Sequence, residues 1–530
     1  MLLLYVRRFL RVCILAFALH AQHSQSQPRI FYSDIESGPS SSGAGGAGAF
    51  ITIVGSGFGD AQGASTATLA GSPIARIIQW GAHKIVVQID SSARSGEIEI
   101  SVEGKGKSNH VPFVVVAGRI YFVSRLGHDR NSGAFLSPWA SITRAAHSMH
   151  PGDITYVMDG VKLAGLDNYH AALSIQSAGL TSKPIALVAY PGAQAVIGDA
   201  AGAEFGVRTP AIHGGPFSEW VLAGFTIRGA NTALKLDGVS HWRIVNNDFS
   251  CPFGDGAAAC VEIAGSSDIA FLGNDVHDSG KPAGSKRYQS VYFTTDSNHI
   301  DAGWNRIMNN HSCRGLQFHS SPVSASSGFN QYDLLIHDNH IAGQVCDGLN
   351  LATIDPSQGR IQVFNNLIWH VGIGPAPPDG ESNYACINSP GIVNHGPPGS
   401  GTVEIFNNTL SDCGMRGGPS AGAISVGAHS PDLMLKNNLI DQHNGEAYFT
   451  SGTAVDHIHG NNNLWHGGGP APHQTVHNLN MNPELSTDED GFALSPGSPA
   501  KRDGYDCGIG YDLIGAGRAL TGKCSIGAFE

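Results

Sequence analysis

Through the second half of the chain, apolar and polar positions repeat as apolar-x-apolar-x-x-Asn-x-apolar. Copies fall on Asn247, Asn274, Asn339, Asn366, Asn408 and Asn438, with weaker ones at Asn305 and Asn463. Successive asparagines lie 25 to 42 residues apart, which suits one turn of a β-solenoid with loops of variable length. Asn tolerates left-handed turn geometry, and its amide can hydrogen-bond to the same amide one rung away. Upstream, Phe50 to Gly55, Ile74 to Gln79, Lys84 to Ile89, Glu97 to Val102 and Val111 to Val116 alternate between Gly/Ser-rich turns and predict a small β-sandwich over 28–117. From Gly118 a strand at Ile120 to Ser124 precedes an amphipathic helix over Pro138 to Met149, with Ile142, Ala145, Ala146 and Met149 on one face. Only strands follow. A single helix there is expected to cap the open end of a solenoid spanning 118–465.

Composition agrees with an all-β chain: among 530 residues, 69 are Gly and 41% are hydrophobic. The formal charge of −12 has the wrong sign for a non-specific nucleic-acid binder. An acidic polymer would have to be met by a local basic patch or a cation. At the start, Arg7, Arg8 and Arg11 precede the short apolar run Val12 to Leu19, the layout of a secretory leader over 1–27. No later run reaches 18 apolar residues, so the expected mature protein is a monomer without a membrane span, secreted or held at the cell surface. Of nine Cys, Cys13 falls in the leader. The other eight form an even set suited to disulfides, with reduced core thiols as the plain alternative.

Stacked rungs place equivalent residues about 4.8 Å apart, so aligned strands report neighbours. Gln289 to Thr294, Arg314 to His319 and Asp347 to Ala352 align without gaps. Alternation sends Val291, Leu316 and Leu349 inward and Tyr292, Gln317 and Asn350 outward, with Thr294 and His319 beside them and Lys235 and Glu262 upstream in the same row. Such a row either binds sugar rings or is simply a solvated face. Cys313 and Cys346 fall on adjacent rungs at disulfide distance. Further pairs are expected at Cys251–Cys260 and Cys507–Cys524. Arg314 lands beside Asp347, read as a salt bridge ahead of a catalytic pair. The basic loop 279–288 offers Lys281, Lys286 and Arg287, followed by Tyr288, next to the outward row.

The opening strand Ala49 to Gly59, with its Gly-x-Gly-Phe-Gly turn, resembles IPT/TIG immunoglobulin-like domains, which implies a spacer or binding module without catalytic residues. The Asn-marked rungs resemble the right-handed parallel β-helix proteins of the pectate-lyase-like superfamily; handedness comes from that resemblance. Leu494 to Gly504 and Ser525 to Glu530 resemble the ending of secreted bacterial β-helix proteins, which implies that 466–530 is a tail covering the last coil. The superfamily further implies a polysaccharide partner, with calcium or Arg neutralising a uronate and Lys or Arg as base. The catalytic candidates are then Lys286, Arg287, His319 and Arg314. Tyr288, Tyr292, Gln317, Asn350 and Lys281 are the candidate substrate-binding residues, and Asp347 is a candidate calcium ligand. Motif series of polygalacturonases, common pectate lyases and alginate epimerases do not occur, and neither Cys-x-x-Cys nor His-Glu-x-x-His points to zinc. The favoured expectation is a lyase cleaving an acidic polysaccharide by β-elimination. A non-catalytic adhesion or glycan-binding protein and a glycoside hydrolase are the alternatives.

Overall fold

A computed structural model describes residues 27–210, 217–320, 331–391, 401–486 and 491–530. The expected leader lies outside the described residues. The first unit is a sandwich. One sheet holds Arg29–Ser33, Phe50–Ser56, Lys84–Gln88 and Arg76–Trp80; the other is centred on Gly96–Val102. Beyond it the chain winds into a right-handed parallel β-helix of three sheets. Among the described residues, sheet I has 13 strands from Ile120–Val123 to Thr475–Val476, and sheet II has 12 from Lys162–Leu163 to Leu479–Asn480. Sheet III has nine strands, from Ala171–Ser174 to Ala421–Val426. The solenoid thus reaches Asn480, one rung past the expected end at Trp465.

The eight repeat asparagines form one buried column at the turn from sheet I to sheet II. Asn305 shows why this works. Its Nδ2 donates to Asn339 Oδ1 (3.0 Å) and to the Phe271 carbonyl (2.8 Å), while its Oδ1 accepts from the backbone N–H and Nδ2 of Asn274 (2.9 and 3.1 Å). Two donors and two acceptors are all met, so a buried amide carries no desolvation debt. The left-handed residue is not the ladder Asn but the one before it: Asn246, Gly273, Trp304, Asp338, Asn365, Asn407, Asn437 and Asn462 all have positive φ. Several of these preceding asparagines face outward and hold other parts of the chain. Asn246 accepts from the Tyr32 hydroxyl of the sandwich (2.7 Å). Asn365, Asn407 and Asn437 donate to the carbonyls of Tyr511, Cys507 and Tyr505 (3.1, 2.8 and 3.1 Å).

These contacts tie both ends of the chain to the solenoid. The tail packs Leu494, Ala500 and Ile526 with Leu464 of the last coils and also runs back along the Asn turns, packing Leu513, Ala528 and Phe529 on Leu367, and Arg29 of the sandwich lies over Tyr511 (4.4 Å). The sandwich is docked on the solenoid. Its interior residues Ile53, Phe58 and Phe113 share one core with Phe122, Tyr156, Val188 and Leu272, which face outward from sheet I. The Tyr156 hydroxyl donates to the Phe50 carbonyl (2.9 Å) and accepts from its N–H (2.8 Å). Phe31 stacks on Trp304 (5.5 Å).

The helix spans only Ile142–Ala146, with Ser141 as N-cap. Its expected apolar face is buried, and Ile142, Ala145, Ala146 and Met149 join the solenoid core. All three expected disulfides are present, and a fourth, Cys386–Cys413, joins neighbouring rungs. Among the described residues no helix is long and apolar enough to cross a membrane.

Candidate functional site

Sheet III presents the predicted row in the predicted register. Lys235, Glu262, Tyr292, Gln317 and Asn350 are successive partners, and Thr294 pairs with His319. From Glu262 to Asn350 the row floors a cleft of about 560 Å³, also lined by Arg287, Gln289, Thr295 and Arg314.

Simple alternation fails at one point on each rung, and that failure builds the cleft wall. Ser290 and Val291 are both fully buried, and a Cβ on Gly348 would meet Ile368 and Val371. Two successive positions therefore face the interior, and only small residues such as Ser290, Gly315 and Gly348 fit the first of them. Gln289, Arg314 and Asp347, which strict alternation would send inward, instead lie on the cleft side. Tyr288 is moved the other way. It is fully buried in the solenoid core with its hydroxyl donating to the Asn231 carbonyl (2.6 Å), so it does not bind substrate as expected.

Arg314 is rigidly held. Its Nε donates to Asp347 (3.1 Å), Nη1 to the Lys286 carbonyl (2.8 Å) and Nη2 to Ser382 (2.8 Å). Asp347 has no exposed side-chain surface and also accepts from Asn388 (3.1 Å) and from the Ala385 N–H (3.2 Å). Burial lifts its carboxyl to about 6 against the pull of Arg314. Both its oxygens accept from protein donors, and the carboxylate, expected as a calcium ligand, here positions Arg314. The one carboxylate among the described lining residues, Glu262, is paired with Lys235. Calcium takes six to eight oxygens, and these cleft residues do not assemble such a set.

His319 hydrogen-bonds through Nδ1 to the Tyr292 hydroxyl (2.9 Å). Burial, together with the Arg314 charge, pushes it down to about 4, so at neutral pH it is an uncharged imidazole able to take a proton. The remaining candidates divide. Arg287 lines the cleft. Lys286 instead reaches the Glu381 carbonyl (3.3 Å), and Lys281 pairs with Asp255 (2.6 Å); neither side chain lines the cleft. Gln289 was not anticipated from the sequence, although its pairing with Arg314 one rung away was implicit in the alignment. Its Oε1 and Asn350 Oδ1 are buried acceptors without a hydrogen-bond donor, a costly state that a ligand hydroxyl would relieve.

The two units can be set against known proteins. Residues 33–115 match the IPT/TIG domain family, in agreement with the sandwich. Over 71 to 84% of its length the chain is similar to solved β-helix structures at low identity. Pectate lyase Pel9A is 15% identical, with a TM-score of 0.45 over 78% of this chain and 97% of that one. A rhamnogalacturonan lyase is 14% identical, with a TM-score of 0.36 over 71% and 87%. The catalytic domain of a GH87 α-1,3-glucanase is 11% identical, with a TM-score of 0.34 over 84% and 77%. No catalytic arrangement transfers at such distances. No curated protein matches the chain in sequence.

Proposed function

We propose that this is an exported enzyme that cleaves an acidic, uronate-containing polysaccharide by β-elimination in the sheet III cleft. The observation that carries the reading is the juxtaposition of an uncharged His319, its hydrogen-bonded Tyr292 and the arginines 287 and 314 over a floor of amides. Elimination needs a cation on the carboxylate to acidify the adjacent C–H, a base for that proton and a donor for the leaving oxygen. Arg287 meets the carboxylate, with Arg314 fixing the local positive field. His319 takes the C5 proton, the C4–O bond breaks as the C4=C5 double bond forms, and Tyr292 protonates the departing oxygen. Gln289 and Asn350 accept sugar hydroxyls. Hydrolysis asks for two carboxyl groups flanking the bond. Glu262, held by Lys235, is the one carboxylate among the described lining residues, which favours elimination. Four disulfides suit an oxidising compartment.

The test is incubation of the full chain with pectate, alginate and glycosaminoglycans, following the absorbance of unsaturated products. Product from one of these polymers, undiminished by a calcium-selective chelator, is expected. New reducing ends without unsaturation would make the protein a hydrolase. Binding without cleavage of any of them would make it an adhesion or glycan-binding protein.

A further inference from the structure

Sheet II carries a second constellation on its outward face, far along the chain from the residues of the cleft. Asp441 and His466 are partners in register on adjacent rungs, so solenoid stacking brings together two groups 25 residues apart. His443 follows two residues after Asp441, just past the end of its strand. His466 Nδ1 lies 2.8 Å from Asp441 Oδ1, and His443 Nδ1 lies 3.2 Å from Asp441 Oδ2. The three ligand-type atoms lie within 4.8 Å of one another.

A second observation points to a missing ligand. The Asp441 side chain has no exposed surface, yet its Oδ2 accepts no hydrogen bond; the approach of His443 lacks the required geometry. A buried carboxylate oxygen left in that state is expensive unless a cation completes it. Asp412, which raises the local negative potential at Asp441, and His443 both line a cavity of about 710 Å³ walled by Trp369 and Phe492.

We propose that Asp441, His443 and His466 bind one divalent transition-metal ion, zinc or a close analogue, at the rim of this cavity. Two imidazoles and one carboxylate are a borderline-soft set suited to zinc, whereas calcium and magnesium take oxygen. Bond lengths of about 2.0–2.2 Å to nitrogen and oxygen place tetrahedral ligand atoms roughly 3.4 Å apart. His443, whose side chain is half exposed, closes the remaining distance by rotating inward. Three protein ligands leave a coordination position for water or a ligand. The ion also ties two successive rungs near the C-terminal end of the solenoid. Neither His-x-x-x-His nor Cys-x-x-Cys spacing announces this site, because the solenoid's rung, and not a helix turn, sets the ligand spacing.

The experiment is calorimetric titration of zinc into the chelator-treated, dialysed full chain, with Co²⁺ absorption as a check on ligand type and thermal unfolding with and without zinc. One equivalent bound, a raised melting temperature and a tetrahedral Co²⁺ spectrum are expected. His443→Ala and Asp441→Asn should each weaken binding by about 100-fold or more, while His473→Ala, an exposed histidine elsewhere, leaves it intact. His443 is exposed enough for its replacement to spare the fold, which circular dichroism verifies. Absence of stoichiometric binding by the parent protein, or unchanged affinity in folded His443→Ala, overturns the proposal.

Discussion

The outward positions of sheets I and III belong to the same solenoid and the same alternation, but they carry opposite chemistry. On the early rungs of sheet I they are Phe122, Tyr156, Val188, Val245 and Leu272, which merge with the sandwich interior. On sheet III they are Lys235, Glu262, Tyr292, Gln317 and Asn350, with Arg314 and His319 beside them. An apolar row on an outer strand face is a docking surface and a polar row with orphan acceptors is a binding surface; which is which depends on what covers the sheet. The first should therefore govern stability and the second chemistry, and substitutions can separate the two.

The largest expected effect lies on the open face. His319→Ala removes the proposed base and should lower the rate of unsaturated-product formation by about 10²–10⁴. Unfolding in urea should shift by no more than about 1 kcal/mol, because the side chain is not in the core. A parallel loss of stability would mean that the sheet III row is structural and would erase the contrast.

Next comes the covered face. Tyr156→Ala should destabilise the protein by about 3–5 kcal/mol, since it empties a ring-sized volume and strands both Phe50 backbone groups. Tyr292→Ala should cost about 1 kcal/mol or less in the same unfolding assay. Equal costs at the two tyrosines would break the distinction between the faces.

Much of this was legible before any coordinates. The Asn period forecast the ladder, alternation forecast the outward row, and alignment of Cys313 with Cys346 and of Arg314 with Asp347 forecast a disulfide and an ion pair that both occur. These succeed because a solenoid turns sequence period into spatial adjacency. What escaped was set by other physics. The double inward step at Ser290 and Val291 puts Tyr288 in the solenoid core and turns Gln289 to the cleft side, and nothing in the local pattern marks it except a small residue. The docking of sandwich and tail depends on contacts 100 residues or more apart, such as Phe50 with Tyr156 and Asn407 with Cys507. In the Asn-Asn pairs, the second residue builds the ladder, and the first, left-handed, reaches outward to the sandwich from Asn246 and to the tail from Asn365, Asn407 and Asn437. The pairs were visible; the division of labour within them was not.

A smaller effect, on the acid side, concerns the cleft. Asp347 titrates at about 6, so as pH falls through that value its charge is lost and Arg314 loses its anchor. Activity should fall by several-fold between pH 7 and 5 while His319, held down to about 4, stays uncharged. Asp347→Asn should show the low rate at both pH values. A parent profile flat down to pH 5 would mean that Arg314 is held well enough by Lys286 and Ser382 alone.

The covered region should respond on the alkaline side instead. His337 is buried between Asp301 (2.8 Å) and Asp338 (2.7 Å) and lies against Trp304 at the sandwich boundary. Burial works against its charge, but the hydrogen bonds it donates to the two carboxylates outweigh that and carry it up to about 9. A folded value above the unfolded 6.5 means that the folded state binds the proton more tightly, so the contribution is complete below about pH 6.5 and is lost as pH rises through 9. Melting temperature should therefore decline between pH 7 and 10 in the parent and less steeply in His337→Asn, whose amide does not titrate. The magnitude is expected to be about 1–2 kcal/mol, since neutral His337 keeps one of its two hydrogen bonds as a donor. Because the cleft groups Asp347 and His319 titrate below neutrality, the alkaline loss of stability should not be accompanied by a change in the acid limb of activity. Coupling of the two limbs in one variant would show that the covered and open faces do not act independently.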